Sequence, residues 1–238
     1  MDTKDAERAY PDTLDETHRG WLHSKPFRNE PAETSRLLVD AALVILVLGL
    51  REGVSLCELG CGTGWLSRFA ARQGVRAVGY DISPGMVEIA REEAAREGVD
   101  VRYEVADMET LEPDERFDTC LLYDALHHST RPDLVLSTAR KTLEPGGRLL
   151  LHEPNWMHRF AGRAASHEHG VTEAGYSSRH LKQLVRGAGF ANVRRLHRSR
   201  RALFTNAPGD VARHLGGPLL TRAMGPFWTE VWLLADAT

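Results

Sequence analysis

Glu58-Leu59-Gly60-Cys61-Gly62-Thr63-Gly64 lies between an apolar stretch, residues 54–59, and a helical pattern, residues 65–73. Glycines at these positions allow a tight turn and let the backbone approach a ligand closely. The N–H groups at the start of the following helix have no partner within that helix, so they favour polar or anionic ligands. The strand–loop–helix order therefore predicts a ligand-binding loop rather than a turn without a ligand.

Two classes of ligand compete for such a loop. Dinucleotide sites have the spacing G-x-G-x-x-G, but here the spacing is G-x-G-x-G, and Trp65 stands where the third glycine would be. A pyrophosphate needs that open backbone, whereas a ligand without phosphate does not. Asp81, about twenty residues further on, can bind ribose hydroxyls in either class. The loop favours a phosphate-free ligand, and a nicotinamide-dependent reductase stays as the alternative.

Strand-like and helical stretches alternate along most of the chain. Strands are predicted at residues 54–59, 75–80, 101–105, 117–123 and 147–152, and helices at 31–48, 65–73, 84–97, 132–143 and 177–185. Strands separated by such helices pair in parallel through right-handed crossovers. Two last strand-like stretches, 193–204 and 227–235, have no convincing helix between them and predict an antiparallel pair. The predicted fold class is a doubly wound α/β domain at residues 31–238, behind an N-terminal cap at residues 1–30.

Five motifs in order resemble those of the class I S-adenosylmethionine-dependent methyltransferases, of the small-molecule type 11/25 kind. They are residues 58–64, residues 78–86, Ala106-Asp107-Met108, Phe117-Asp118 with residues 124–128, and residues 143–147. The match covers about residues 36–235. The resemblance implies a Rossmann-like, mostly parallel sheet of seven strands that ends in an antiparallel pair. It also implies S-adenosylmethionine as the cofactor and S-adenosylhomocysteine as its product.

The resemblance assigns cofactor-binding roles position by position. Glu58 would face the methionine amino group, Asp81 would hold the ribose diol, and Asp107 would accept a hydrogen bond from the adenine amino group. Apolar side chains near the adenine, among them those of Ile82 and Met86, fit plain core packing equally well. The whole predicted set is Glu58, Gly60, Cys61, Gly62, Gly64, Trp65, Asp81, Ile82, Met86, Asp107, Met108, Tyr123 and Asp124.

Four side chains are predicted as catalytic residues. Each is a candidate for the base that removes a proton from the molecule to be methylated. His127 and His128 follow the fourth strand, and His152 and Glu153 end the fifth. Both pairs belong at the carboxyl edge of the sheet, where open α/β sheets bind ligands. A His also changes protonation near neutral pH. The alternative is that these side chains cap a strand or bond to a loop.

One further cluster, His167-Glu168-His169, has the composition of a metal site. Adjacent residues in an extended segment point apart, however, and the i, i+4 spacing of a helical ligand pair is missing. A polar lid surface is the favoured interpretation, and no metal site is predicted.

The acceptor is expected to contact the N-terminal cap, an insertion at residues 154–176 and the turn near residues 204–226. Aromatic and His side chains there suit a small polar organic molecule, and O-methylation of a sugar or secondary metabolite is the favoured reaction. A non-catalytic S-adenosylmethionine-binding module is a third hypothesis. In the cap, Trp21, His23, Phe27 and Arg28 form an aromatic–basic cluster that either closes over the site or packs on the domain.

Composition narrows the partners and the compartment. The formal net charge of −3 is not the positive charge that binding to nucleic acid requires, so a nucleic acid partner is disfavoured. Cys57, Cys61 and Cys120 are too few for a zinc cage or a disulfide framework, so buried free thiols are expected. No signal peptide or membrane span is predicted. A cytoplasmic monomer or homodimer without a membrane partner is the expectation.

Overall fold

A computed structural model describes residues 3–27, 30–155, 170, 172–196 and 230–238. Its sheet has seven strands in the order β3-β2-β1-β4-β5-β7-β6. The strands are β1 (Ser55–Leu59), β2 (Arg76–Asp81), β3 (Val101–Val105), β4 (Phe117–Tyr123), β5 (Leu143–Pro154), β6 (Phe190–Leu196) and β7 (Glu230–Ala237). Strands β1 to β5 pair in parallel, and β7 runs antiparallel to both β5 and β6. The predicted fold class, with its C-terminal antiparallel pair, is confirmed.

Among the described residues, the helices accompany this sheet in the expected alternation. They are α1 (Thr3–Thr13), α2 (Glu16–Ser24), α3 (Pro31–Leu48), α4 (Trp65–Ala71), α5 (Pro84–Glu97), α6 (Pro132–Lys141) and α7 (Ser178–Gly187), with a 3₁₀ turn at Leu126–His128. The bounds of α3 and α5 match the prediction, because a proline marks each start and a left-handed glycine, Gly49 or Gly98, each end. In the part of the chain that the structure describes, we find no helix able to cross a membrane.

The boundary between α6 and β5 differs from the prediction. The sequence places the strand at residues 147–152, but β5 already begins at Leu143, which pairs with Phe117. Arg148 pairs with Thr119, so residues 144–147 bulge out of the ladder. The bulge contains proline and glycine, which weaken strands, so the sequence does not predict the first part of this strand.

The antiparallel pair also has different limits from those predicted. Strand β6 begins at Phe190 instead of residue 193, and β7 (Glu230–Ala237) ends two residues after the predicted end at residue 235. The predicted residues 197–204 and 227–229 lie outside the described part of the chain.

Two apolar layers enclose the sheet. One contains side chains from α6 and α7, such as Leu136 and Leu181, and the other contains side chains from α3 and α4, such as Leu37 and Trp65. All residues of β1 are buried, as expected for a central parallel strand covered on both faces. The three cysteines are buried free thiols, as predicted.

The N-terminal helices pack against α5 at one edge of the sheet. Ser83 Oγ donates a hydrogen bond of 3.0 Å to Arg8 O on α1. Because Ser83 follows β2 almost directly, this contact brings α1 to the carboxyl ends of the parallel strands. The N-terminal segment therefore covers the edge at which the glycine loop lies.

Candidate functional site

A cavity of about 400 Å³ opens at the carboxyl edge of the sheet, next to the N-terminal helices. Its volume is that of a typical small-molecule site. Twelve of the thirteen residues predicted to bind the cofactor line it: Glu58, Gly60, Cys61, Gly62, Trp65, Asp81, Ile82, Met86, Asp107, Met108, Tyr123 and Asp124. His127 and His128 line it as well. Of the predicted site residues, all of which the structure describes, Gly64, His152 and Glu153 do not line the cavity.

Hydrogen bonds to the end of β2 shape the glycine loop. Gly60 N donates to Tyr80 O over 2.8 Å, and Gly62 N donates to Asp81 Oδ2 over 2.7 Å. The φ angles of Gly60, Gly62 and Gly64 are 71°, 52° and 69°. These values lie in the left-handed region that glycine adopts without strain. The loop sequence is therefore required by its backbone geometry.

Glu58 lies at the base of the loop and is only 2% exposed. Its carboxylate accepts hydrogen bonds from the backbone N–H and the hydroxyl of Ser67 on α4. Burial raises the pKa of Glu58 to about 7, although the bonds from Ser67 act in the opposite direction. Glu58 is thus a buried acid that can lose its proton near neutral pH.

Asp81 ends β2 with its carboxylate directed at the loop. One oxygen accepts from Gly62 N, and the other accepts from Ser83 N over 2.9 Å. Burial raises the pKa of Asp81, and these two backbone donors partly offset that effect. The carboxylate is therefore held in place at the wall of the cavity.

Asp107, shortly after β3, forms an ion pair with the first helix. Lys4 Nζ lies 2.6 Å from Asp107 Oδ2 and 2.7 Å from Glu109 Oε2. Glu109 also accepts a hydrogen bond of 2.7 Å from Thr130 N. Burial works against the charge of Lys4, but the two carboxylates raise its pKa above the ordinary value. The contacts of Lys4 with Asp107 and Glu109 therefore hold α1 against the cavity.

The N-terminal residues that line the cavity are not those singled out in the sequence. The lining residues of this segment are Lys4, Glu7, Tyr10, Leu22 and Lys25. Trp21 and Phe27 are 40% and 62% exposed instead, and His23 Nδ1 lies 3.1 Å from Glu93 Oε1. Arg28 is outside the described residues. The i, i+3 pair of Lys4 and Glu7 would have been the signal for a helix face turned toward polar groups.

A buried carboxylate organises the turn after β4. Glu153 is fully buried and accepts hydrogen bonds from the backbone N–H groups of Ala125, Leu126 and His127 over 3.2, 2.8 and 3.1 Å. Its Oε2 also lies 2.8 Å from His127 Nδ1. His127 Nε2 lies 3.8 Å from Glu173 Oε2, which comes from the segment before α7. Glu153 therefore fixes both the backbone and the ring of His127.

Asp124 precedes this turn with an unusual backbone. Its φ of 56° is left-handed, and its side chain is 47% exposed. Partial burial raises its pKa, but the charges of His127, His152 and Lys25 outweigh this effect and hold the pKa below the ordinary value. Asp124 is thus an ionised group on the cavity wall.

His128 connects the turn to α1. Its Nδ1 lies 3.0 Å from Thr172 O and 3.4 Å from Glu7 Oε1, and Glu7 also accepts from Thr172 N over 2.9 Å. Burial lowers the pKa of His128, but Glu7 and the neighbouring acid Glu173 raise it to about 9. His128 therefore carries a positive charge at neutral pH.

His152 lies in an aromatic stack. Its ring lies 4.5 Å from the ring of Tyr123 and 4.4 Å from that of Trp232, and Nε2 lies 3.2 Å from Glu230 Oε2. Tyr123 in turn donates a hydrogen bond of 2.7 Å to Asp40, the one acidic residue of the apolar helix α3 that is buried. The stack thus joins β4, β5 and β7 to α3.

The predicted insertion is described only at its ends. Asn155 and Tyr176 form an isolated parallel β-bridge, and Glu173 lines the cavity. Residues 156–169 and 171, which include the predicted His167-Glu168-His169 cluster, lie outside the described part of the chain.

Comparison with known proteins agrees with this geometry. Residues 56–147 match the family described as "Methyltransferase domain". These residues are similar to the methyltransferase domain of the class I S-adenosylmethionine-dependent enzymes. S-adenosylmethionine is the cofactor of this class of domain, and the matched residues run from β1, before the glycine loop, into β5.

Curated relatives include two enzymes that share one name. The ubiquinone biosynthesis O-methyltransferase of Xanthomonas euvesicatoria pv. vesicatoria is 33% identical over 105 residues, which are 43% of this chain and 44% of that protein. The enzyme of the same name from Brucella anthropi is 34% identical over 101 residues, 42% of this chain and 41% of that protein. The chain thus spans less than half the length of the curated relatives it matches.

Solved structures share the fold of this chain. Magnesium protoporphyrin IX methyltransferase from Synechocystis PCC 6803, with bound S-adenosylhomocysteine, has a TM-score of 0.67 at 19% identity. The likeness covers 98% of this chain and 100% of that one. The [4+2]-cyclase SpnF has a TM-score of 0.61 at 21% identity over 83% of this chain and 80% of that one. At these identities the likeness establishes the fold.

Proposed function

We propose that the chain transfers the methyl group of S-adenosylmethionine to a hydroxyl oxygen of a small polar acceptor, of the sugar or secondary-metabolite class. The observation that carries the proposal is a single cavity that joins the glycine loop and Asp81 to His127, the ring held by buried Glu153. The bound cofactor supplies a methyl group already activated on a sulfonium sulfur. The protein has mainly to align the acceptor with that group.

The glycine-loop end of the cavity fits the cofactor. Asp81 offers carboxylate oxygens to the ribose diol, and Asp107 offers its carboxylate to the adenine amino group. Glu58, when it loses its proton, provides a negative charge at the base of the loop for the methionine amino group. Lys4 contacts Asp107 in this structure, so the adenine amino group has to share or replace that contact.

At the other end, His127 is the side chain best placed to accept the hydroxyl proton. A carboxylate such as that of Glu153 accepts hydrogen bonds, so the Nδ1–H group of His127 donates to it. Nε2 of His127 is then the basic nitrogen. Nε2 lies on the side of Glu173, which lines the cavity. Glu153 acts as a positioning residue, because its oxygens are occupied by the turn and by the ring. His152, stacked outside the cavity, is less suited to this role.

The charges at the acceptor end disfavour an anionic acceptor. Glu7, Asp124 and Glu173 all line this end, and they would repel a phosphate or carboxylate on the acceptor. The two curated relatives described above are O-methyltransferases, which agrees with a hydroxyl acceptor. The net charge of −3 disfavours a nucleic acid substrate.

Calorimetric titration of the full chain with S-adenosylmethionine, S-adenosylhomocysteine and NADPH tests the cofactor. Saturable binding of the first two, without binding of NADPH, is the expected result. Binding of NADPH alone would overturn the proposal and favour the reductase.

Transfer of an isotope-labelled methyl group to pools of sugars, phenols and amines then tests the reaction. We expect labelled methyl ethers from a hydroxyl-bearing pool, and their formation should be slowed in His127→Asn while cofactor affinity is kept. Label in the amines only would contradict O-methylation. Tight cofactor binding without turnover on any pool would support the non-catalytic module.

A further inference from the structure

We infer that His127, His128 and Glu173 form a binding site for one divalent transition-metal ion at the acceptor end of the cavity. Each residue offers a ligand atom, and these three atoms lie within 4.8 Å of one another. The ion would displace a proton from His128, because a metal-binding imidazole is neutral. The two histidines belong to the 3₁₀ turn after β4, and Glu173 comes from the segment before α7. All three line the cavity, so an ion can reach them.

Both imidazole rings are held by partners on their Nδ1 side. His127 Nδ1 lies 2.8 Å from Glu153, and His128 Nδ1 lies 3.0 Å from Thr172 O. Metal-binding histidines almost always donate the second ring N–H to a carboxylate or a backbone carbonyl in this way, since the contact fixes the ring and increases the basicity of the ligand nitrogen. The same arrangement directs Nε2 of His127 toward Glu173, at 3.8 Å.

Several carboxylates lie close to the two rings. Besides Glu173, the rings face Glu153, Glu7 at 3.4 Å from His128 Nδ1, and Asp124 at 4.0 Å from His127 Nδ1. Four carboxylates around two imidazoles favour a cation, because like charges at these distances repel one another strongly in a partly buried site. A divalent ion would compensate this charge.

The donor set decides the kind of ion. Two imidazoles and one carboxylate suit Zn²⁺, Co²⁺ or Fe²⁺, whereas Mg²⁺ and Ca²⁺ prefer oxygen ligands. Three protein ligands leave at least one coordination position for a water or a substrate oxygen. In the proposed reaction that position would take the acceptor hydroxyl and make its proton easier to lose. While the ion is bound, His127 Nε2 would serve as a ligand and not as the base. This role rests on the proposed function, whereas the binding of the ion does not.

The cluster differs from the His167-Glu168-His169 segment in how it is formed. Neighbouring histidines give no recognisable metal motif in the sequence, and Glu173 becomes their neighbour only through the fold. The test therefore has to distinguish metal binding at one cluster from metal binding at the other.

The experiment is titration of the full chain, first freed of metal with a chelator, with Co²⁺ followed by its visible absorption. We expect one ion per chain with a spectrum typical of nitrogen ligation. Glu173→Gln and His128→Asn should each remove saturable binding, and Glu153→Gln should weaken it by about 10- to 100-fold through the ring of His127. His180→Asn, an exposed histidine on α7, is the matched control and should bind as the parent chain does.

Circular dichroism and thermal unfolding are recorded for every variant, so that loss of the fold is told apart from loss of the ligand. The absence of Co²⁺ binding in the folded parent chain would overturn the inference and leave a protonated His128 to balance the acids. Binding that survives Glu173→Gln and His128→Asn but disappears in the double variant His167→Asn, His169→Asn would assign the ion to the insertion. Cofactor titration without Co²⁺ tests the proposed function separately.

Discussion

Lys4 Nζ lies 2.6 Å from Asp107 Oδ2, so the first helix of the chain is joined to the carboxylate next to the end of β3. Both side chains are largely buried, at 23% and 16% exposed. The N-terminal segment is therefore part of the cavity wall, and Asp107 serves the helix as well as any ligand. Ligand exchange and the position of α1 should be coupled.

Lys4→Met is expected to speed release of S-adenosylhomocysteine by up to about fivefold, because an ion pair of this kind contributes about 1 kcal/mol or less. Methionine keeps the apolar stem and removes the charge. The measurement is stopped-flow displacement of the bound product. Arg8→Met on the same helix removes only an exposed pair with Asp5 and should leave the rate unchanged. Equal rates in Lys4→Met and the parent chain would show that Lys4 does not hold α1 closed.

Asp81→Ala should weaken S-adenosylmethionine binding by about 10- to 100-fold, the effect of losing charged hydrogen bonds to a ligand. The fold should survive, since the loop keeps the bond from Gly60 to Tyr80. Calorimetry gives the affinity and thermal unfolding tests the fold. Asp100→Ala, an exposed acid just before β3, is the control. Unchanged affinity in a folded Asp81→Ala would remove Asp81 from the site.

Gly64→Ala and Gly62→Ala should lower the free energy of unfolding by different amounts. Both positions have positive φ, which costs an alanine about 1–2 kcal/mol. A Cβ at Gly64 would lie 2.4 Å from the ring of Tyr103, whereas a Cβ at Gly62 meets nothing within 4 Å. We expect an additional loss of about 1–3 kcal/mol for Gly64→Ala from overpacking. Urea unfolding measures both, and equal losses would mean that Tyr103 moves aside freely.

Glu58 should make stability depend on pH in a defined direction. The pKa of Glu58 is about 7 in the folded protein, against the ordinary value of 4.5, so between these values the folded state keeps a proton that the unfolded state releases. The contribution of Glu58 to stability is therefore fully present below pH 4.5 and is lost as the pH rises to 7. Glu58→Gln cannot lose a proton. It should match the parent chain near pH 4.5 and exceed its free energy of unfolding at pH 8 by on the order of 3 kcal/mol.

Urea unfolding at the two pH values measures this difference. The exposed Glu88→Gln on α5 serves as the control and should follow the parent chain at both. A Glu58→Gln variant that is less stable than the parent at pH 8 would show that the carboxylate is ionised and stabilising in the folded state.

The elements that depend on local signals could be predicted. The bounds of α3 and α5 follow from a starting proline and a closing glycine, and both agree with the structure. The start of β5 could not be predicted, because Leu143 joins the ladder across a bulge of residues that disfavour strands. The part of the N-terminal segment that lines the cavity could not be predicted either, because Lys4 contacts Asp107, which lies 103 positions further along the chain.

The sequence by itself determined the order of strands and helices, the glycine loop and the set of acids at the strand ends. These are local properties, set by hydrophobic period, turn residues and the path of the backbone. The tertiary structure decided which of the similar side chains face the cavity. His127 and His152 both follow apolar strands, but pairing of Tyr123 with His152 places the latter ring in an aromatic stack. Glu153 meanwhile turns His127 toward Glu173, because a buried carboxylate has to find donors, and those donors come together only in the folded chain.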